Sequence, residues 1–441
     1  MSATATTEKK YLKWYQKLAY GSGDLASNCS YGLVSSFVLL YLTGTLGLDS
    51  AIIGSLMLAS KVLDGISDVI FGTLIDRTHS KLGKARPWML FGQVGVSLCL
   101  FLLFAIPAGS TTMQYIYFFI VYTALNAVFY TANGIAYSSL VALITKNNNE
   151  RVQLGSFRFM FAVVTNIFMG FAVTGMVEKF GSGAAGWRTT ALIFAIVGLV
   201  VNTISCLAVK ELPEEELSGN TSEAAEEGKA VAEEKKHGFA ETAKILVHNK
   251  YYLMILAIYI VYYIMSNLTT GAGVFCATYY WGDGSLLGQF SMMKMFPVII
   301  ALAIAPVLIK KTGSMQKVNF WGYAISSVLG IPMIYFAMQK NLSMFLLFMF
   351  IKGIFAGTLS GSLNALIAEA SGYTTRTTGI HMDGMMYSCS SLGVKVGGGI
   401  GTAAVGWLLK LGGFVGTATV QSESAIRMIF NPVSYTHLRA H

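Results

Sequence analysis

Long apolar runs separated by short polar loops occupy most of the chain. A helix needs about 20 consecutive apolar residues to cross the hydrocarbon core of a bilayer. Isolated strands would leave backbone groups unpaired there, so each run is predicted to be a helix and the chain an all-α polytopic membrane protein. Eleven runs qualify, and they lie near 18–43, 51–75, 88–107, 113–145, 153–177, 187–208, 251–281, 286–309, 318–338, 341–368 and 381–410.

A charged segment divides these runs into two groups. Residues 211–236 read ELPEEELSGNTSEAAEEGKAVAEEKK, a composition typical of a mobile linker. We therefore predict an N-terminal six-helix bundle over 1–208, a cytoplasmic charged linker over 209–250 and a C-terminal helix bundle over 251–430. Two bundles of six helices are a layout typical of secondary transporters.

The second bundle is one span short of six. The stretch ESAIRMIF at 423–430 has the character of the start of a twelfth span, but PVSYTHLRAH at 432–441 does not continue an apolar run. We interpret residues 431–441 as a non-native or truncated tail, so that the twelfth helix is missing or incomplete; a genuine short tail is the alternative.

Composition strengthens the membrane interpretation. Charged residues make up only 12% of the chain and hydrophobic residues 54%, whereas soluble domains carry about 25% charged residues. The net charge is +9, but the basic residues lie in short loops rather than in a stripe with interleaved aromatics, which argues against nucleic-acid binding. The five cysteines show no CxxC spacing and no phosphate-binding GxxxxGK[ST] loop occurs, so we expect no resident cofactor and no enzyme.

Lysines and arginines mark alternate loops. They occur before the first run, after the second, fourth and eighth runs and in the linker, whereas the loops TGTLGLDS, PAGSTT and WGDGSL contain none. Because basic residues are enriched in cytoplasmic loops, this bias predicts a bacterial-type inner (plasma) membrane protein with a cytoplasmic N-terminus.

Three charged residues lie inside the second run. Asp64 and Asp68 are four residues apart and share one helix face, and Lys61 lies on the same face three residues before Asp64. Two carboxylates that close repel each other in a low dielectric, and a bound Na⁺ or proton relieves the repulsion. We therefore predict a cation site at the two acids. A structural Lys61–Asp64 pair is the alternative, but it leaves Asp68 unexplained.

The last run contains a lysine beside a row of glycines. Gly393, Gly397 and Gly401 recur every four residues and predict a smooth helix face for close packing. Lys395 lies off that face, where it would neutralise the empty acid site or hydrogen-bond a solute. The alternative is a lysine whose ammonium group extends to the membrane interface.

Other polar and aromatic residues in the runs have two interpretations each. Gly353, Gly357 and Gly361 predict a second packing face. Aromatic residues such as Tyr130 and Tyr137 would line a sugar cavity or simply pack. The following polar residues would face a cavity or bond a neighbouring helix: Asp24, Asn28, Asn133, Lys294 and Lys352.

Four stretches resemble the glycoside–pentoside–hexuronide:cation symporters, a branch of the major facilitator superfamily that includes melibiose permease. They are KLAYGSGDLASN at 17–28, KVLDGISDVIFGTLIDRTHSKLGKARPW at 61–88, Tyr130 together with SSLVALITKNNNERVQL at 138–154, and RTTGIHMDGMMYSCSSLGVKVGGGIG at 376–401. The stretch at 61–88 is the most specific of the four.

The resemblance implies roles for single residues. Asp64 and Asp68 fall on the family's cation-binding acids, which would hold Na⁺ in a sodium-coupled member, and Thr131 falls on an assisting threonine. Lys395 falls on the helix-eleven lysine and Tyr130 on a sugar-cavity aromatic. The family's cytoplasmic gate, in which salt bridges form and break between the two halves, falls on Asp76, Arg77, Lys84 and Arg86.

The chain also departs from the family's galactoside carriers. Two acids that grip sugar hydroxyls in those carriers are replaced by Asn28 and Gly134, a tryptophan is replaced by Ser138, and the helix-five arginine is one residue out of register at Arg158. A cavity with fewer acids suggests an anionic hexuronide or another glycoside as the substrate.

Together these features predict cation-coupled symport of a sugar by alternating access, with Na⁺, Li⁺ or H⁺ as the co-transported ion. We expect the partners to be this sugar, the monovalent cation and the lipid bilayer, and the working unit to be a monomer. The alternatives are an uncoupled sugar facilitator, whose uptake would ignore Na⁺ and pH, and a proton-coupled antiporter on the same fold.

Overall fold

A computed structural model describes residues 9–213, 249–378, 390–418 and 421–435, and all regular structure in these ranges is helical. Ten of the described helices are long and apolar enough to cross a membrane. The helical segments, numbered here α1 to α12, are Trp14–Thr45, Ser50–Asp76, Arg86–Leu103, Thr111–Ile144, Asn148–Lys179, Gly183–Leu207, Lys250–Trp281, Leu286–Thr312, Met315–Met338, Leu342–Thr378, Ser390–Leu411 and Glu423–Tyr435.

Four of these helices contain short π-helical segments, in which one extra residue widens the turn. They are Tyr41–Thr45 in α1, Ala124–Tyr130 in α4, Cys276–Trp281 in α7 and Gly393–Gly397 in α11. Such segments are frequent at functional sites. Two of them adjoin predicted site residues, since Thr131 follows the segment in α4 and Lys395 lies inside the segment in α11.

The described residues form two compact units. The first lies within Met1–Val34, Leu63–Met169 and Met176–Ala224, and the second within Ser35–Val62, Gly170–Gly175 and Ala225–His441. The division by contacts therefore crosses α1, α2 and α5, and the first half of α2 groups with the C-terminal helices. The predicted boundary at 208 follows the end of α6 and the one at 251 lies one residue after the start of α7, and both remain a prediction.

In the first unit, close packing of α3 on α4 fixes the middle of α4. A Cβ added to Gly95 would lie 2.1 Å from the ring of Phe129, so the two helices approach each other more closely than any side chain at this position would allow. Asn133 donates from Nδ2 to the Met89 carbonyl at 3.2 Å and to Gln93 Oε1 at 2.9 Å. Asn133 thus bonds a neighbouring helix, and this anchor lies two residues after Thr131.

A buried carboxylate fastens the N-terminal residues to the start of α5. Glu150 accepts hydrogen bonds from the backbone N–H groups of Tyr11 and Leu12 and from the hydroxyl of Thr145. Its Oε1 also lies 3.0 Å from Nζ of Lys17. Because both ion-pair partners are nearly inaccessible to solvent, this contact belongs to the interior of the unit rather than to its surface.

In the second unit, the glycine face of α11 packs directly on α7, as the sequence predicts. A Cβ on Gly397 would lie 2.5 Å from the carbonyl oxygen of Ile260, and a Cβ on Gly401 would lie 2.5 Å from that of Ile264. Only a helix face without side chains allows such contact. The predicted close packing is confirmed, and its partner helix is α7.

The opposite face of α11 packs on the first half of α2. A Cβ on Gly406 would lie 2.2 Å from the carbonyl oxygen of Ser50, while the hydroxyl of Ser50 donates to the carbonyl of Gly406 at 2.9 Å. Asp49 and Lys410 form an ion pair at the end of this contact. These backbone-to-backbone contacts explain why residues 35–62 belong to the second unit.

A second glycine row brings α10 against α8. A Cβ on Gly353 would lie 2.8 Å from Pro297, and a Cβ on Gly357 would lie 2.7 Å from the Cβ of Ala301. The predicted packing role is confirmed for these two glycines, and the surroundings of Gly361 lie outside the described part of the chain.

The stretch ESAIRMIF forms a helix, as expected for the start of a further span. The helix α12, Glu423–Tyr435, has 13 residues, about 20 Å of length against a hydrocarbon core of about 30 Å. Phe430 stacks on Tyr280 with ring centroids 4.7 Å apart, which docks α12 on the end of α7. The predicted tail at 431–441 is described only as far as Tyr435.

The glycine face of α11 can be tested by adding a single methyl group. Gly401→Ala places a Cβ against the backbone of α7 and should destabilise the protein by about 1–3 kcal/mol, the usual cost of overpacking. Gly155→Ala in α5 is the matched control, because nothing lies within 4 Å of its added Cβ. The measurement is thermal unfolding in detergent, and an equal melting temperature for the two variants would contradict the packing assignment.

Candidate functional site

The predicted cation-site acid Asp64 is buried and contacts a threonine from another helix. Its side chain is part of α2, only 7% of the residue is exposed, and Oδ1 accepts a hydrogen bond from the Thr131 hydroxyl at 2.6 Å. Thr131 Oγ1 also lies 2.9 Å from the carbonyl oxygen of Asn126, across the π-helical segment of α4. A carboxylate, a hydroxyl and a carbonyl oxygen therefore meet at one point, and these are the ligand types that hard cations prefer.

The second acid lies one helical turn further along α2. Asp68 is partly buried and shares the face of Asp64, as the four-residue spacing requires. The two carboxylates are thereby placed on one side of α2, where a cation would contact acids from two successive turns. Among the described residues no cluster of three His, Cys, Asp or Glu side chains occurs, so a metal ion here would rely on neutral oxygen ligands in addition to the two acids.

The two predicted coupling lysines lie on helices that contact each other in the second unit. Lys395 is partly buried in the π-helical segment of α11. One turn later, a Cβ on Gly399 would lie 3.1 Å from the Cβ of Lys61, so the stem of Lys61 packs on α11. The structure thus brings Lys61 and Lys395 to the same region of α11.

A second polar cluster joins α1, α4 and α5 within the first unit. Arg158 Nε lies 2.5 Å from Asp24 Oδ2, with 26% and 17% of the two side chains exposed. The guanidinium carbon of Arg158 lies 4.2 Å from the centre of the Tyr137 ring, and the Tyr137 hydroxyl donates to the backbone carbonyl of Tyr20 at 2.8 Å. The Arg158 guanidinium is therefore held both by the Asp24 carboxylate and by the face of the Tyr137 ring.

Amides and aromatic rings extend this cluster. Asn28 donates from Nδ2 to the backbone carbonyl of Asp24 at 2.7 Å, and its Oδ1 accepts from Asn166 Nδ2 at 3.0 Å. Tyr31 and Tyr130 stack with ring centroids 5.0 Å apart and an interplanar angle of 22°. Both rings are partly exposed, so this part of the first unit combines hydrogen-bonding groups with flat apolar faces, the chemistry that binds a sugar ring.

The structure revises what the departures from the galactoside carriers mean. The helix-one position that lacks an acid is Asn28, but Asp24 lies one turn earlier and carries the carboxylate that pairs with Arg158. Sequence reasoning left Asp24 between two roles and did not single out Asn166 or Tyr31. The available signal was weak, since Asn166 is one amide in an apolar run and its partner is 138 positions away.

The predicted gate residues make contacts inside the first unit. Glu211, the first residue of the charged segment 211–236, accepts from the backbone N–H groups of Lys84, Ala85 and Arg86 at 2.7, 3.0 and 3.0 Å. Arg86 Nε donates to the carbonyl of Cys206 at 3.2 Å. A carboxylate at a helix N-terminus satisfies otherwise unpaired N–H groups and complements the helix dipole. Sequence reasoning missed this role of Glu211.

The other two predicted gate residues, Asp76 and Arg77, lie at the end of α2. Arg77 is exposed at the end of α2, and the side chain of Asp76 lies outside the described part of the chain. The exchange of salt bridges between the two halves therefore stays a prediction.

Comparison with known proteins gives a consistent family. The MFS/sugar transport protein family matches residues 19–435. The chain is 26% identical over 410 residues to the uncharacterized symporter YnaJ of Bacillus subtilis (strain 168), covering 92% of this chain and 85% of the relative. It is 25% identical over 426 residues to the isoprimeverose transporter of Lactiplantibacillus pentosus, with coverages of 95% and 85%. It is 23% identical over 408 residues to the glucuronide carrier protein homolog of Escherichia coli (strain K12), with coverages of 92% and 85%.

Solved structures agree on the fold. A bacterial homolog of the human lysosomal transporter Spinster superposes with a TM-score of 0.67 at 13% identity, covering 96% of this chain and 93% of that one. The nucleoside transporter NupG gives a TM-score of 0.61 at 11% identity, with coverages of 96% and 96%. The predicted all-α polytopic fold is confirmed, and the family is one of transporters rather than enzymes. The chain belongs to the MFS/sugar transport family of the major facilitator superfamily, and it fits the glycoside–pentoside–hexuronide symporter branch of these multi-pass membrane transporters.

Proposed function

We propose that this transporter carries a glycoside, pentoside or hexuronide together with Na⁺, Li⁺ or H⁺ by alternating access in a bacterial inner membrane. The observation that carries the proposal is the 2.6 Å contact between the Thr131 hydroxyl and the buried Asp64 carboxylate, with Asp68 one turn away. The relatives support it, because several are named as symporters and one as a putative glycoside/cation symporter of Escherichia coli (strain K12).

Coupling follows from the electrostatics of the two acids. Without a cation, Asp64 and Asp68 repel each other or draw the ammonium groups of Lys61 and Lys395. A bound cation neutralises the acids and releases the lysines, so that the solute site adopts the conformation that binds the solute. By linkage the effect is reciprocal, and a bound solute raises the affinity for the cation by the same factor.

The sugar is proposed to bind at the polar cluster of the first unit. Arg158 and Asp24 offer a charged donor and a charged acceptor to hydroxyl groups, and Asn28 adds an amide. The ring of Tyr130 offers a face on which the apolar side of a sugar can stack. The loop residues Asp76, Arg77, Lys84 and Arg86 are proposed to act on the cytoplasmic side as the gate, in line with the resemblance.

The decisive experiment is uptake of labelled glycosides, pentosides and hexuronides into energised vesicles. With an inward Na⁺ gradient or an inward proton gradient we expect one class to accumulate above its external concentration, because coupling makes transport against a gradient possible. A sugar that only equilibrates under every gradient would favour the uncoupled facilitator. Proton efflux driven by sugar uptake would favour the antiporter.

Asp68 can be tested by an isosteric change. Asp68→Asn removes one of the two charges that the cation compensates, so we expect cation-driven accumulation to fall at least about tenfold, corresponding to about 1.4 kcal/mol of lost coupling. Sugar exchange in counterflow, which needs no net cation movement, should persist. Asp283→Asn in an exposed loop is the control, and full accumulation by Asp68→Asn would remove the site assignment.

Arg158 can be tested separately from the cation site. Arg158→Lys keeps the charge but loses the planar contact with Asp24 and the Tyr137 ring, so sugar affinity should fall about 10–100-fold. The Na⁺ concentration that half-activates the remaining transport should stay the same. Arg188→Lys on an exposed position of α6 is the matched control. A variant with unchanged sugar affinity would move the sugar site elsewhere.

A further inference from the structure

The second unit contains a large cavity, and its lining includes no residue of the predicted cation site or of the polar cluster in the first unit. It lies between α7, α8, α9 and α10 and has a volume of about 630 Å³. Small-molecule sites in proteins are typically clefts of about 300–1,000 Å³ with a mainly apolar lining and a few placed polar groups. The cavity therefore has the dimensions of a ligand site, and its polar groups decide what it binds.

Two lysines, Lys294 of α8 and Lys352 of α10, line this cavity. The close crossing of the two helices places them at one level: a Cβ on Gly353 would lie 2.8 Å from Pro297 and 3.5 Å from the carbonyl oxygen of Met293. Gly353 directly follows Lys352, and Met293 directly precedes Lys294. Both lysines thus line the cavity from neighbouring positions on adjacent helices.

Lys352 has no counter-charge within the described structure. Only 3% of the residue is exposed, and its Nζ has no hydrogen-bond partner among the described residues. Lys294 Nζ donates to the Thr270 hydroxyl at 2.9 Å, which is a neutral acceptor. Aspartate and glutamate are absent from the described residues that line the cavity. Two lysines therefore line a cavity to which the described lining residues contribute no carboxylate.

Lys352 lies near the middle of Leu342–Leu359, the part of α10 that is apolar enough to cross a membrane. Lys352 lies ten residues after the first residue of α10, about 15 Å along the helix axis and so near the middle of a core about 30 Å thick. A buried ammonium without a partner costs several kcal/mol, and ionisable residues at mid-membrane are functional candidates by default. A structural role would require a partner, whereas an anionic ligand supplies one.

The remaining lining suits a polyol. Hydroxyl and amide groups come from Ser266, Thr269, Asn319 and Ser326, and aromatic faces come from Tyr262 and Tyr323. Hydroxyls and amides bind sugar hydroxyls, and aromatic rings stack on the apolar face of a sugar ring. The lining thus adds polyol recognition to the positive charge.

We propose that this cavity is a second glycoside site, separate from the polar cluster of the first unit, and that Lys294 and Lys352 hold the carboxylate of a hexuronide there. The inference rests on the proposed sugar transport and adds an anion-selective site to it. It makes the lysine pair a specificity determinant: the carboxylate supplies the missing counter-charge, and a neutral hexoside of the same size leaves both ammonium groups uncompensated.

The test compares two ligands that differ at one carbon. Binding of methyl glucuronide and of methyl glucoside to the purified full-length chain is measured by calorimetry, at constant Na⁺ and with no gradient. We expect the glucuronide to bind at least tenfold more tightly. Lys352→Met and Lys294→Met should each weaken glucuronide binding about 10–100-fold, the range for a lost charged hydrogen bond, and leave glucoside binding unchanged.

Thermal unfolding separates lost binding from lost folding. Lys352→Met removes an uncompensated buried charge, so the ligand-free variant should melt at the same or a higher temperature than the unmodified chain, while stabilisation by the glucuronide disappears. Lys311→Met, on an exposed position of the same helix as Lys294, is the matched control and should keep the preference for the glucuronide.

Three outcomes would overturn the inference. They are equal binding of the two methyl glycosides, an unchanged preference in both cavity variants, and displacement of the glucuronide by an equal concentration of sulfate, which would indicate a simple anion site. A failure of the proposed symport would look different, because it would abolish gradient-driven accumulation of every sugar while equilibrium binding preferences remained measurable.

Discussion

The cost of an unpaired charge in hydrocarbon governs the arrangement of this protein. Water is absent from the bilayer core, so an ionised side chain there needs a partner from the protein or from a ligand. In the first unit, Asp24 is paired with Arg158, and Asp64 has a hydroxyl from Thr131 at 2.6 Å. In the second unit, Lys352 has no hydrogen-bond partner among the described residues. The protein therefore provides partners for Asp24 and Asp64, whereas Lys352 has no hydrogen-bond partner in the described part of the chain.

Close helix contacts make this arrangement possible. The glycines of α11 bring its backbone against α7 on one face and against the first half of α2 on the other, so α11 cannot shift without moving both. Lys395 lies on this helix, and the stem of Lys61 packs on it at Gly399. Under the proposed function, a shift of α11 driven by a change of charge near Lys395 would therefore also displace the backbone segments of α7 and α2 that it contacts.

The sequence predicts the helices and the packing faces well because both depend on local spacing. Apolar runs locate the spans, and the four-residue glycine rows locate the close contacts of α10 and α11. The pairing of Asp64 with Thr131 does not follow from spacing, since the two residues are 67 positions apart; the family resemblance implied it. Tertiary packing alone decides the partners of Asp24, the capping role of Glu211 and the shared level of Lys294 and Lys352. Sequence reasoning left Asp24, Lys294 and Lys352 ambiguous and missed Glu211, because each partner lies far away in the sequence.

The charge of the substrate determines what drives its accumulation. Symport of one Na⁺ with a neutral glycoside moves one positive charge inward, and a membrane potential of 100 mV then adds about 2.3 kcal/mol to the driving force. Symport of one Na⁺ with a hexuronide moves no net charge, so the potential contributes nothing and the Na⁺ concentration gradient supplies the whole driving force. Under the proposed function, accumulation of an acidic substrate would therefore depend entirely on the Na⁺ concentration gradient coupled at Asp64 and Asp68, whereas a neutral substrate would also be driven by the membrane potential.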